Sequence, residues 1–327
     1  MGRLHKLGTF LIIGVIALSA CAFIAVPTPK KTAASSSSSK RALLANAPVD
    51  QTMINNFGPM SMYYSYGPTP GGLQLNGPFT AMIDSPQGMT SANLAAAKAS
   101  SDTFLSFNEP DGGTQVLSVS DALSYWPTLE NLGMRLGAPA LSHYAGASKA
   151  WLDSFMSQAV SAGYRVDFIP IHFYGENVGM GSDPQGAAAE FIRQLNELHN
   201  NWGRPIWVTE FALGMTTGSP ALNLQFMQIV LPQLEQMPFV EKYMWWPTTY
   251  TFCQSSGGTG CLTYQDGSLT TLGLCYRDGF CSSSSSPPPS PQPAPAPSSS
   301  CTNLWDSTKA VTASFGASFN LFSPLST

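Results

Sequence analysis

Apolar residues recur along the middle of the chain in two alternating kinds of stretch. Short runs fall at Met60–Tyr66, Phe79–Ile83, Phe104–Phe107, Arg135–Ala140, Val166–Phe173, Ile206–Phe211 and Lys242–Trp246, with a weaker one at Leu269–Leu274. Their length and their Val, Ile and aromatic content are those of buried strands. Between them, apolar positions repeat at three- and four-residue spacing, as in Leu152, Phe155, Met156 and Ala159, and in Phe191, Leu195 and Leu198. That spacing predicts helices over about 91–100, 120–132, 149–162, 184–201 and 220–236. Strands alternating with helices predict a parallel α/β fold. Seven strands with a weak eighth fit a (β/α)8 TIM barrel better than a dinucleotide-binding sheet, since no Gly-x-Gly-x-x-Gly follows the first strand.

The flanks read differently. Arg3, His5 and Lys6 precede an apolar run from Leu7 to Val26, and Ala20-Cys21-Ala22 offers a small-x-small cleavage site. Residues 1–26 are therefore expected to be a secretory signal peptide, with an uncleaved membrane anchor as the alternative and a lipoprotein box at Cys21 third. A Ser-rich linker with a basic pair at Lys40-Arg41 is expected over 27–50. A Ser/Pro-rich linker over 282–300 favours extended polyproline II, and a short tail over 301–327 follows. The catalytic-sized domain is expected over 51–281. The chain is thereby expected outside the cytoplasm, secreted or in a cell wall, and touching a membrane at most through the N-terminal segment. A monomer is expected.

Composition narrows the ligand. Charged residues make up 10% of the 327, against roughly 25% in ordinary soluble domains. The net charge is −4, which gives no basic footprint for nucleic acid. Surfaces rich in neutral polar groups suit neutral ligands. Apart from Cys21 the cysteines stand at 253, 261, 275, 281 and 301. Cys253 with Cys261 and Cys275 with Cys281 are candidate local disulfides in an oxidising compartment. No Cys-x-x-Cys occurs and the four histidines are scattered, so no metal and no organic cofactor are expected.

The chemistry lies in two strands. Phe104-Leu105-Ser106-Phe107-Asn108-Glu109 and Ile206-Trp207-Val208-Thr209-Glu210 are apolar runs that each end in a glutamate. On a barrel rim, such residues come from different strand ends into one opening. Two carboxyls brought within about 5–5.5 Å can break a glycosidic bond with retention, one protonated as acid and the other ionised as nucleophile. Asn108 is a neutral partner for a sugar hydroxyl. His172 and Tyr174, which end one strand, and Trp245 and Trp246, which end another, offer polar edges and aromatic faces to sugar rings. One of the two tryptophans must face the helices, because successive strand residues point to opposite sides.

Taken together, Leu105-Ser-Phe-Asn-Glu-Pro-Asp111, Arg135-Leu-Gly-Ala-Pro-Ala140, Trp151-Leu-Asp-Ser-Phe-Met156, Val166 to Gly175, Pro205-Ile-Trp-Val-Thr-Glu-Phe-Ala212 and Val240 to Trp246 resemble glycoside hydrolase family 128. This is the family of the alkali-sensitive-linkage cell-wall proteins and endo-β-1,3-glucanases. The resemblance spans about residues 60–276. It implies a (β/α)8 barrel, Glu109 as acid/base, Glu210 as nucleophile, and β-1,3-glucan as substrate. Where the family tends to show a tryptophan-led aromatic pair on an early strand, this chain has Met62-Tyr63-Tyr64, and Tyr64 joins the expected substrate-binding set. The alternatives are a non-catalytic glucan-binding or wall-structural protein, and a related enzyme acting on β-1,4-mannan or cellulose.

Overall fold

The computed structural model describes residues 38–45, 49–112, 115–215, 218–256 and 259–279. Eight short strands run parallel in two sheets. In the first, β1 (Leu43–Leu44), β2 (Tyr63–Tyr64), β3 (Phe79–Met82), β4 (Thr103–Leu105) and β5 (Arg135–Leu136) lie side by side in chain order. The second holds β6 (Ile169–Tyr174), β7 (Ile206–Ala212) and β8 (Val240–Trp245) in the same sense. Parallel bridges also join the sheets at both margins. Gly137 pairs with Phe168 and Leu141 with Ile171 on one side, and Arg41 with Tyr243 on the other.

Helices occupy the stretches predicted over 91–100, 149–162, 184–201 and 220–236, and shorter ones lie elsewhere among the described residues. They are α1 (Gln51–Phe57), α2 (Ser91–Ser100), α3 (Val119–Ser124), α4 (Trp126–Glu130), α5 (Gly146–Ser161), α6 (Pro184–Trp202), α7 (Pro220–Gln236), α8 (Tyr250–Ser256) and α9 (Thr271–Asp278). Side-chain oxygens of Asp50, Thr90, Ser118, Asp183, Ser219 and Thr270 cap their first turns. Each cap satisfies a backbone N–H that has no partner within its helix. Leu152, Phe155, Met156 and Ala159 of α5, and Phe191, Leu195 and Leu198 of α6, are buried as their spacing predicts. Every residue of β6 and β7 is buried, as in a sheet covered on both faces. Phe173, Phe191, Phe211, Phe226 and Trp245 form a continuous aromatic layer between strands β6–β8 and helices α6 and α7.

Three expectations need correction. The first strand lies inside the expected linker 27–50, so the folded domain starts ahead of residue 51. Ala42-Leu43-Leu44-Ala45 is too short a run to stand out beside low-complexity sequence, yet all four residues are buried. The weak strand at Leu269–Leu274 gives way to α9, whose Leu272, Cys275 and Tyr276 share one buried face. The single helix over 120–132 breaks at Tyr125, and Pro127 starts a second helix where a proline costs little.

Cys253 is disulfide-bonded to Cys261. Cys275 is buried, and its expected partner Cys281 lies outside the described residues. So do the expected signal segment, the Ser/Pro-rich linker, the tail and Cys21. Among the described residues, no helix is long and apolar enough to cross a membrane.

The basic pair Lys40-Arg41 is built into the domain. Lys40 Nζ donates to the carbonyls of Leu234, Glu235 and Met237 at 3.1, 2.9 and 2.7 Å. These carbonyls end α7, where a helix presents partial negative charge. Arg41 is buried and donates to Arg277 O at 2.6 Å. Replacing Lys40 by Met is expected to destabilise the domain by about 1–3 kcal/mol. Chemical unfolding of the two proteins checks this, and an unchanged midpoint would contradict it.

Candidate active site

Glu210 is the fifth residue of β7 and points where it does because the strand is irregular. Val208 pairs with Ile171 but Glu210 pairs with His172, and β7 runs one residue long against β8 over the same stretch. Thr209 is thus the extra residue of a bulge, and bulges re-aim the side chains that follow them. The strand continues two residues past the glutamate, to Ala212, rather than stopping at it.

The carboxylate of Glu210 is almost fully buried, and both of its oxygens are engaged. Tyr66 Oη donates to Oε1 and Tyr174 Oη to Oε2, each at 2.5 Å. His172, wholly buried in β6, places Nδ1 3.5 Å from Glu210 Oε2 and 2.9 Å from Glu109 Oε1. Glu109 lies beyond the end of β4, with its side chain 12% exposed against 5% for Glu210. Asn108 is buried immediately before it. The donor atoms of Glu109, His172 and Glu210 all lie within 4.8 Å of one another.

Burial raises the pKa of Glu210 above the ordinary carboxylate value, opposed by the charge of His172 and by the two phenol hydrogen bonds. Burial acts against a charged His172, but the two glutamates outweigh it and its pKa rises. Tyr66 and Tyr174 are pushed well above the ordinary phenol value by burial and by the Glu210 charge. They therefore stay protonated as donors. Glu109, His172 and Glu210 form the one cluster with metal-ligand spacing among the described residues. Their facing atoms are already committed to phenol and imidazole hydrogen bonds, an arrangement suited to proton transfer rather than to a cation.

Glu109 has φ = 41°, the one positive value on a non-glycine among the described residues. Holding a side-chain-bearing residue there costs on the order of 1–3 kcal/mol, and such strain gathers at functional sites. Backbone bonds on both sides maintain it: Asn108 N donates to Asp84 O at 2.8 Å and Glu109 N to Ala140 O at 2.7 Å before it, and Glu109 O accepts from Gly112 N and Gln115 N at 3.4 Å each after it.

Of the residues expected in the site, Glu109, Glu210, His172 and Tyr174 come together, and Asn108 is buried next to Glu109. Trp246 lies beside them, edge-on to Tyr66 with ring centroids 6.2 Å apart. Two expectations are corrected. Trp245 is fully buried in the aromatic layer, and its Nε1 donates to Gly260 O, as strand alternation requires of one member of the pair. Tyr64 is also fully buried and donates to Thr209 O, so it offers no face to a ligand and supports the bulge instead. The residue missed was Tyr66, in the bend just after β2, whose ring meets that of Tyr64 edge-on with centroids 5.9 Å apart.

Residues 42–276 match the family model described as glycosyl hydrolase catalytic core. A subgroup I endo-β-1,3-glucanase from Amycolatopsis mediterranei is 33% identical, with a TM-score of 0.66 over 73% of this chain and 99% of that one. That enzyme has also been crystallised with laminarihexaose. A subgroup III curdlan-specific exo-β-1,3-glucanase from Blastomyces gilchristii is 28% identical, with a TM-score of 0.58 over 73% of this chain and 98% of that one. Alkali-sensitive linkage protein 1 of Schizosaccharomyces pombe is 27% identical over 256 residues, covering 74% of this chain and 45% of that protein. The present chain therefore spans less than half the length of that relative. With this coverage and identity, the chain belongs to glycoside hydrolase family 128.

Proposed function

We propose that this glycosidase is a retaining β-1,3-glucanase in which Glu210 is the nucleophile and Glu109 the acid/base. The observation that carries the reading is that an oxygen of one carboxyl lies within 4.8 Å of an oxygen of the other, with His172 between them. Inverting displacement needs a water between the carboxyls and a gap of about 6.5–9.5 Å, whereas direct attack works across about 5–5.5 Å. The two phenol donors and the neighbouring His172 favour the ionised form of Glu210 against its burial, which suits the nucleophile. The more exposed Glu109 suits proton exchange with a leaving group and with water.

In the first step Glu109 gives its proton to the glycosidic oxygen as that bond breaks, and Glu210 bonds to the anomeric carbon. In the second, Glu109 takes a proton from the water that displaces Glu210. His172 sits against both carboxylates and spreads the charge between them. Asn108 is assigned to the sugar hydroxyl beside the reacting carbon, and Trp246 to the face of a bound ring. The eight parallel strands, bridged at both margins of the two sheets, fit a (β/α)8 barrel with this site at the C-terminal strand ends. Greater similarity to the endo-acting than to the exo-acting relative favours internal cleavage. The Cys253–Cys261 disulfide supports action outside the cytoplasm, secreted or in a cell wall.

Glu210→Gln is expected to lower laminarin and curdlan hydrolysis by roughly 10³-fold or more with the circular dichroism spectrum unchanged. A purified variant that still released reducing ends would contradict the assignment. The same assay on mannan and cellulose is expected to release none from the wild type. Glu210 must be ionised to attack, and burial raises its pKa. The acid limb of kcat/KM is therefore expected above the ordinary glutamate value of about 4.3. Tyr174→Phe removes a hydrogen bond that favours the carboxylate, so the limb should move to still higher pH. A limb that stayed in place or moved down would rule out this pairing.

A further inference from the structure

The turn that carries Glu109 is tied down by a side chain with no part in the chemistry above. After Glu109, Asp111 is bridged antiparallel to Val116 and Gly112 N donates to Gln115 O at 2.9 Å. These pairings set Gln115 against the turn, where its own N–H donates to Glu109 O. There Gln115 Nε2 donates to two main-chain carbonyls, to Asp84 O at 2.6 Å and to Asn108 O at 3.0 Å. The second of these belongs to the peptide group joining Asn108 to Glu109, the group whose rotation sets φ of Glu109. Asn108 N in turn donates to Asp84 O. One primary amide thus spans the loop after β3 and the loop after β4, using both N–H bonds of a single nitrogen.

We infer that Gln115 is a positioning residue for the acid/base. Its amide fixes the Asn108–Glu109 peptide plane and thereby holds the Glu109 carboxyl where the glycosidic oxygen will stand. The inference rests on the proposed role of Glu109. The physical basis is that a residue at φ = 41° relaxes toward negative φ unless its flanking peptides are held from outside. Ala140 O takes the Glu109 N–H, Gln115 Nε2 donates to the Asn108 carbonyl, and Glu109 O accepts from Gly112 N and Gln115 N at 3.4 Å each, while one peptide back Asp84 O takes the Asn108 N–H. Of these, the Gln115 Nε2 bond alone is made by a side chain and can be deleted without touching the backbone. Gln115 also lines an open pocket with Asp84, Gln87, Asp121 and Tyr125, so a side chain of similar length has room there.

The test separates proton donation from general integrity. Wild type, Gln115→Met, Gln115→Leu and Glu109→Ala are compared on laminarihexaose, whose leaving sugar needs a proton, and on a 2,4-dinitrophenyl β-laminaribioside, whose phenolate leaves without one. For the Gln115 variants kcat/KM on the hexaose is expected to fall roughly 10–100-fold, while on the aryl glycoside it stays within about threefold of wild type. Glu109→Ala is expected to show the same split, larger. Wild-type rates on both substrates overturn the inference, and so does an equal loss on both, which is the signature of a purely structural glutamine. If Glu109→Ala shows no split, the acid/base assignment fails first and the role of Gln115 fails with it.

Discussion

A buried carboxylate is tolerated when its oxygens are hydrogen-bonded, and most of this site follows from that requirement at Glu210. Its two phenol donors come from different sheets, Tyr66 just after β2 and Tyr174 at the end of β6. The imidazole between the glutamates comes from β6 as well. The donors converge only if all these strand ends face one space. The two sheets meet at both margins, which brings β2 and β7 toward each other across that space. The bulge at Thr209 then turns Glu210 into it, and Tyr64 braces the bulge by bonding the carbonyl of its extra residue.

The acidic partner is held by other means. Glu109 pairs with His172 and occupies a strained turn whose backbone is tied to Asp84, Ala140 and Gln115. Nearby, Asp111 accepts from Ser142 N and Oγ, and Glu176 accepts from Met215 N. These two carboxylates each join the loop of one strand to the loop of the next. The site therefore has one carboxyl set in a sheet and one set in a braced turn. That difference suits the proposed division between a fixed nucleophile and a proton carrier that serves two steps.

Much of this was legible in the sequence because it follows from local pattern. The two glutamates ended apolar runs, and α5 and α6 buried the residues that their spacing nominated. Parity along β8 required one of Trp245 and Trp246 to turn away, but parity alone could not say which. What stayed hidden depended on distant contacts. β1 is two residues long and exists because Met62 and Tyr243 offer it backbone partners. Tyr66 was passed over because its role depends on Glu210, 144 positions away. Leu269–Leu274 resembled a strand until the Thr270 cap and the buried face of Leu272, Cys275 and Tyr276 made it a helix. The basic pair Lys40-Arg41 looked like linker because the carbonyls it serves belong to α7 and α9.

The central claim is that Glu210 forms a covalent bond to sugar. A 2-deoxy-2-fluoro-β-laminaribiosyl fluoride forms that bond readily and releases it slowly, because fluorine next to the reacting carbon disfavours the positive charge of both transition states. Mass spectrometry of the treated protein, followed by peptide mapping, measures the outcome directly. The account predicts one added fluoroglycosyl group, carried by the peptide at Glu210. Label on any other residue, or no label on enzyme that actively hydrolyses laminarin, would contradict it.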